Sequence, residues 1–519
     1  MIIDRIAKDV QDAFAAIGVA DARLVVSSRP EMADYVSDAA FAAARTLRKA
    51  PNAIAQAAAE LMPCDGYAVE AAAGFLNVTI DDAALAEAAS FDETIAPKGR
   101  TVLIDSGGPN VAKPMHVGHL RSLVIGESLS RILTHLGDRV IRDVHYGDWG
   151  FQMGLLLAAL PVVPDTLGEL EIAYPAAAAR AKEDPEFKAR AHRATVALQA
   201  GEPEHVGRWM AFRQLSRESS DQDFAKLGVS FDMHLGESDA NGFIAETEVL
   251  LGDRLVESEG AVVVHTATGP LMFRNGEGGS LYGATDLATL VMRRTSPKPD
   301  VVLYVVDERQ AQYFAQMFEA ATSVTDAKLE HIGFGTVNGA DGRPFRTRAG
   351  GVPKLGDLLD EAIAKAAERN PDVAVEVGMA AIRFGDLINR RTSGYAFDLE
   401  RSLRFEGRTG PYMLYQIARI RSIVANAAID PGEPTIEDAA MRDLALGLVM
   451  SRDVIAKAGE TRMPHLVAEH AYDLSQRFSR FYAGASIKDS PGRLRLALLT
   501  LERLEVLMGL LGITTVTRM

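Results

Sequence analysis

The chain has 519 residues, is 48% hydrophobic and 24% charged, and carries a net charge of −15. That length is too great for one core and points to about three soluble globular domains. A single cysteine, Cys64, excludes an internal disulfide framework or a Cys-rich zinc site, and no run of about 18 uncharged apolar residues is present to span a membrane. The acidic balance argues against nucleic acid, yet residues 401–519 hold 16 Lys/Arg against 13 Asp/Glu, so the acidic excess lies elsewhere.

Residues 1 to about 95 read as a small α/β domain. The start, MIIDRIAKDVQDAFAAIG, lacks the basic and apolar regions of a secretory signal and reads as an amphipathic helix. The expected location is the cytoplasm. Helices are predicted at roughly 2–17 and 37–62, then a strand, Gly74-Phe-Leu-Asn-Val-Thr-Ile80. Residues 91–100 are a linker.

The next stretch, TVLIDSGGPNVAKPMHVGHLRS (101–122), is the most informative. Val102 and Ile104 mark a strand. A turn follows, with Gly107, Gly108, Pro109 and Asn110. His116-Val-Gly-His119 then opens a helix that runs to about His135 and stops at Gly137. A second strand covers Val140–Val144. In such a β-α-β unit a ligand sits at the carboxyl end of the strand, and the free N–H groups of the helix start suit phosphate. His116 and His119 are three apart and can face one phosphate, and Gly118 allows close approach. Taken alone, HxGH is a weak signal that local hydrogen bonding explains equally well.

Residues 155 to about 245 are alanine-rich and charged and read as a helical insertion. His192, His205 and Trp209 read there as helix surface and packing, without a metal-binding pattern. From about 260 the β/α alternation resumes, with strands at Ala261–His265 and Val301–Val306; the second is nearly continuous and suits a buried parallel sheet. Tyr282 and Asp286, four apart at a helix start, share a face. Gln310 follows the 301–306 strand. A Gly-rich loop at about 334–350 carries Arg343, Arg346 and Arg348. Helices are predicted at about 355–369 and 372–392. Further helices at 436–458, 464–483 and 491–511 complete the C-terminal part. Tyr412 and Tyr482 are assigned to its core.

The motif SGGPNVAKPMHVGHLRS resembles the first signature of class I aminoacyl-tRNA synthetases, and most closely that of the arginyl-tRNA synthetases. Further matches are PEMADYVSDAAFAAARTL with AGFLNVTI, His145-Tyr-Gly-Asp-Trp-Gly150 with Gln152, Tyr282-x-x-x-Asp286 with Gln310, the Arg-rich loop, and Gly410-Pro-Tyr-Met-Leu-Tyr-Gln. Together they run from about Arg29 to Met519. The resemblance implies a class I Rossmann-like catalytic domain at 96–400. It also implies an N-terminal tRNA-elbow domain at 1–95 and a helical anticodon-binding domain at 401–519.

It further implies arginine–tRNA ligation. L-Arginine is activated with ATP and Mg²⁺ and transferred to the tRNA for arginine, by a monomer that needs neither a membrane nor a structural zinc. By resemblance His116, His119 and Lys113 are catalytic, and Gly118, Gly108, Arg343 and Arg346 bind ATP. Asp105, Asn110, Tyr282, Asp286, Gln310 and His119 receive arginine, whose planar, always charged guanidinium needs a carboxylate fork. Tyr35, Tyr415, Arg419 and Arg421 face tRNA. The chain departs from the family pattern at Val36 and Leu414, where Gln is usual, and at Arg346, where Lys is usual. Two rivals remain: a paralog that delivers activated arginine to a non-ribosomal acceptor, and a non-catalytic tRNA-binding relative.

Overall fold

The computed structural model describes residues 2–29, 31–90, 96–276, 278–339, 342–343, 352–484, 486–487 and 490–519. Its centre is a five-stranded parallel sheet. In spatial order the strands are Lys328–His331, Val301–Val305, Thr101–Ser106, Arg139–Tyr146 and Met233–Gly236. Val301–Val305 is buried along its whole length, as an apolar strand covered on both faces should be. The chain runs from Thr101–Ser106 outward in one direction, then returns to build the other side. The crevice beside the end of Thr101–Ser106 is therefore the switch point where α/β sheets bind ligands.

The helix that follows HVGH spans Leu120–His135, after a single 3₁₀ turn at Val117–His119. Leu120 through Ser130 are all buried, because the helix lies between the sheet and the C-terminal helices. Gly126 permits the approach: a Cβ there would stand 2.6 Å from Ser106 Oγ. Gly137, at φ +87°, ends the helix, its N–H donating to the Thr134 carbonyl.

The N-terminal part is a four-stranded antiparallel sheet, ordered Val25–Val26, Tyr35–Ser37, Phe75–Ile80, Tyr67–Ala72, with helices against it. The helix predicted over 37–62 is two helices, Ala39–Leu47 and Pro51–Ala59. Arg48, at φ +52°, closes the first, and Pro51 opens the second, where its missing N–H costs nothing. This domain docks on the helix Ala439–Thr461. Arg442 pairs with Asp34 at 2.7 Å and also with Asp82, and Arg452 meets Asp4 at 2.7 Å. Tyr35 belongs to the same interface. It is 1% exposed, and its hydroxyl donates to Asp453 at 3.0 Å, so it offers no surface to a tRNA and the expectation placed on it is corrected.

The helical insertion comprises Leu167–Glu183, Pro185–Gln199 and Pro203–Leu227, closed by Gly228 in the left-handed region. It is shorter than its alanine-rich composition suggests, since Met233–Gly236, expected to be helical, is the edge strand of the parallel sheet. Ala261–Thr266 is a strand as predicted, but it sits in a separate antiparallel meander with Leu255–Ser258 and Gly269–Arg274. The C-terminal helices are Gly410–Ala425, Ala439–Thr461, His465–Gly484 and Pro491–Leu510. Leu414 is fully buried among them. Tyr412 is half-buried and accepts from Gln476 at 2.7 Å, whereas Tyr482, expected in the core, is exposed. No described helix is long and apolar enough to cross a membrane.

Candidate active site at the carboxyl end of the parallel sheet

Residues 107–119 leave the central strand as a turn zipped to its neighbours. The Val111 N–H donates to the Gly147 carbonyl at 3.0 Å, and the Gly147 N–H to the Pro109 carbonyl at 3.1 Å. Asn110 lies against Gly147, where a Cβ would stand 2.5 Å from its Oδ1. Gly108 is exposed, with φ +46°. Ala112 holds φ +67°, a backbone region that costs a non-glycine residue energy. Its N–H is fixed by the Ser216 hydroxyl at 2.8 Å. The strained alanine sets the direction of Lys113, whose Nζ stands 4.4 Å from the centre of the Tyr174 ring.

His116 Nδ1 accepts from the Gly118 N–H at 3.0 Å, and His119 Nδ1 accepts from the His116 N–H at 3.1 Å. The Gly118 N–H assigns the His116 ring proton to Nε2. His119 Nδ1 also lies 3.2 Å from the His116 carbonyl, and only the tautomer that accepts from the His116 N–H carries an outward Nε2–H donor. The rings are 4.1 Å apart. Burial first, then His116, pushes the His119 imidazole down to about 4; burial and the charge of Lys113 lower His116. Both rings are therefore neutral near pH 7, and Lys113 supplies the positive charge. Gly118 is required by this arrangement, since a Cβ there would lie 2.6 Å from the His116 ring.

The segment after the Arg-rich loop returns to the same place. Lys354 forms an antiparallel bridge with His116, the Val117 N–H donates to the Pro353 carbonyl at 3.0 Å, and the Leu355 N–H to the Met115 carbonyl at 2.9 Å. Arg121, buried in the HVGH helix, reaches the base of that loop by donating to the carbonyls of Gly335 and Ser393, both at 2.8 Å. Arg343 sits in a turn whose Gly339 N–H donates to its carbonyl at 2.8 Å. Arg346 lies outside the described residues.

Beside the histidines lies an acidic wall. Asp105 is tied to the buried Arg293 guanidinium at 2.6 Å, and the same nitrogen meets Asp143 at 2.5 Å. Asp105, Asp143 and His145 form the one metal-ligand-like cluster among the described residues, and the Arg293 guanidinium already bridges its two carboxylates. Asp286 accepts from the Tyr313 hydroxyl, and burial raises its carboxyl. Glu237 follows the strand Met233–Gly236. Burial, then Asp286 and Asp148, pushes its carboxyl up to about 8. A cavity of about 210 Å³ is lined by Glu237, Tyr282, Thr285, Trp149 and Gln199. Gln310 is exposed at the end of the turn after Val301–Val305, at the carboxyl edge of the sheet. Tyr282 is 60% exposed at the cavity mouth, so of the Tyr282–Asp286 pair only the aspartate is withdrawn from solvent.

Glu237, Arg293, Asp143 and Tyr313 escape a reading by motif. Glu237 falls in what reads as helical insertion, and only a carboxylate directly after a short strand would have marked it. Strand register sets Asp143 beside Asp105, and Arg293, 150 residues beyond Asp143, reaches both from the helix Tyr282–Thr295.

In the C-terminal bundle Tyr415 is exposed and Arg419 stacks over Tyr482, its guanidinium 4.8 Å from the ring centre. Arg421, expected to face tRNA, is turned inward to Glu505 and the Val516 carbonyl. It pins the chain's last segment rather than presenting a free charge.

The description "tRNA synthetases class I (R), catalytic domain" matches residues 81–399. "Arginyl tRNA synthetase N terminal domain" matches 1–80, and "DALR anticodon binding domain" matches 413–519. An arginine--tRNA ligase of Hyphomonas neptunium is 40% identical with 95% of each chain covered, and one of Maricaulis maris is 38% identical over the whole of both. The arginyl-tRNA synthetase of Plasmodium falciparum has the same fold, with a TM-score of 0.87 at 23% identity, over 100% of this chain and 99% of that one. A parallel sheet ending in HVGH, an acidic cavity beside it and a helical bundle behind it thus meet three adjoining domain matches, and the chain belongs to the arginyl family of class I tRNA synthetases.

Proposed function

We propose that this protein is an arginine--tRNA ligase that activates L-arginine with ATP and transfers it to the 3′ end of its tRNA. The observation that carries the substrate is the pair Glu237 and Asp286. Glu237 lines the cavity, Asp286 is buried close behind it, and burial with the repulsion between the two drives Glu237 up to about 8. A guanidinium placed between them relieves both penalties, since it is always charged and donates in a planar fork. Tyr282 closes the mouth of that cavity. Asp105 and Asn110, at the strand end, take the ammonium end of the substrate, and Gln310 approaches from the neighbouring strand.

The substrate carboxylate then points toward the HVGH turn. It attacks the α-phosphate of ATP, and pyrophosphate leaves. Charge builds on the phosphate oxygens, where the Nε2–H groups of His116 and His119 and the ammonium of Lys113 stabilise it. Gly108 and Gly118 let the nucleotide lie on the backbone, and Arg343 and Arg346 attend the leaving pyrophosphate. Mg²⁺ arrives with ATP. The terminal ribose hydroxyl of tRNA next attacks the arginyl-adenylate carbonyl. Holding the reactants in line supplies much of the rate, and no side-chain nucleophile is involved.

We assign 1–95 to the tRNA elbow, 96–400 to catalysis and 401–519 to the anticodon, with Tyr415 and the Arg419–Tyr482 stack facing unpaired bases. The protein works as a cytoplasmic monomer. Arginine-dependent ATP–pyrophosphate exchange, with and without tRNA for arginine, tests this reading alongside charging. Exchange that needs tRNA, together with charging, supports it; exchange without charging favours a paralog with another acceptor.

A further inference from the structure

Lys113 and Lys354 flank His116 and are both held by one turn of the helical insertion. The Lys113 ammonium lies over the face of Tyr174 at 4.4 Å, and Lys354 Nζ meets Glu171 Oε2 at 2.7 Å. Glu171 and Tyr174 are three apart on the helix Leu167–Glu183 and share a face. The Thr166 hydroxyl caps this helix by accepting from the Glu169 N–H at 3.4 Å. Pro175, next to Tyr174, has no N–H to give the Glu171 carbonyl four residues back.

We propose that Tyr174 is a positioning residue for ATP use, holding Lys113 in place through its ring face, and that Glu171 fixes the other side of His116 from the same helix. This inference rests on the ligase reading above. The chemistry of the partner is what carries it. A carboxylate beside Lys113 would hold the lysine but cancel its charge. The face of a tyrosine ring attracts an ammonium through its quadrupole and takes none of its three N–H donors. Lys113 is thus oriented while its full charge and hydrogens remain for phosphate oxygens. Half-burial of the ammonium, which lowers its pKa, strengthens the attraction to the ring. The helical insertion accordingly reaches the nucleotide chemistry and is more than a lid on the sheet.

Packing offers the competing account, since Tyr174 also borders an apolar cluster around Leu170 and Phe212. Tyr174→Phe keeps the ring face and drops the hydroxyl. Tyr174→Leu keeps apolar bulk and drops the face, and Tyr174→Met serves if the leucine variant does not fold. ATP–pyrophosphate exchange at saturating arginine and tRNA is measured for each variant, alone and with Lys113→Met. The expected result is a Phe variant within about twofold of wild type and a Leu variant at least about tenfold lower in kcat/KM for ATP, with KM for arginine unchanged. In the Lys113→Met background the leucine change costs less than about twofold. Equal Phe and Leu variants, or an undiminished loss without Lys113, overturn the inference alone. A wild-type chain with no arginine-dependent exchange overturns the ligase reading and this inference with it.

Discussion

Arg293 and Asp105 form an ion pair at the carboxyl end of the central strand, Nη2 to Oδ2 at 2.6 Å, with the arginine only 1% exposed. The same guanidinium holds Asp143, so two carboxylates depend on one cation. Removing one partner of a buried ion pair leaves uncompensated charge. Arg293→Met is therefore expected to destabilise the fold by about 3–5 kcal/mol. Adding Asp143→Asn should return part of that loss, because one of the stranded charges is gone. Denaturant midpoints of the three proteins check this; a loss in the double variant equal to or larger than that of Arg293→Met contradicts it.

The acidic cavity makes arginine use depend on pH. In the free protein Glu237 titrates at about 8, and a guanidinium beside it lowers that value, so arginine and a proton compete. KM for arginine should fall as pH rises from 6 toward 8, by at most about tenfold per unit, and level off above. Glu237→Gln should flatten this interval while raising KM overall. A wild-type profile without this slope, or a slope that survives Glu237→Gln, would sink the assignment.

His119 behaves oppositely to an acid–base histidine. With its imidazole at about 4, it stays neutral through the working range and acts as an N–H donor. His119→Ala is expected to lower kcat for exchange about 10²–10³-fold, and His119→Asn, which keeps a donor, to lose less. Because its folded pKa lies below the unfolded value of about 6.5, the unfolded chain binds the proton more readily. Stability should fall as pH drops from about 6.5 toward 4, and His119→Asn should reduce that acid sensitivity. Urea midpoints across this window are the measurement, and equal slopes for both proteins count against the shift.

Tyr35 separates a structural role from tRNA contact. Its hydroxyl donates to Asp453 across the junction between the first and last domains. Tyr35→Phe leaves that carboxylate without its donor and should cost about 1–3 kcal/mol, while KM for tRNA changes less than about twofold. A large rise in KM for tRNA with unchanged stability would restore the elbow-contact role.

Much of the candidate site is legible in the residues themselves. The strand, glycine turn and HVGH helix start read together as a candidate phosphate site, because each local signal agrees with the next. Val301–Val305 reads as a buried parallel strand for the same reason. What escapes is set by tertiary pairing. Four residues, Met233–Gly236, form a strand because Arg139–Tyr146 offers them a free edge, and nothing in the alanine-rich helices beside them signals it. Glu237 is hidden with them. An aromatic poised for a base and one packed at a domain junction have the same side chain, so the sequence alone does not separate the two roles for Tyr35. Arg421 likewise needed the position of Glu505 before its role was plain.

The central claim is tested most directly by charging. The purified chain is incubated with ATP, Mg²⁺, tRNA for arginine and labelled arginine, with citrulline as the neutral analogue. The predicted result is arginine esterified to the tRNA 3′ end, abolished by prior periodate oxidation of the tRNA, with no citrulline transferred. Exchange without any charged tRNA, or equal transfer of citrulline, would contradict a carboxylate-lined cavity serving an arginine--tRNA ligase.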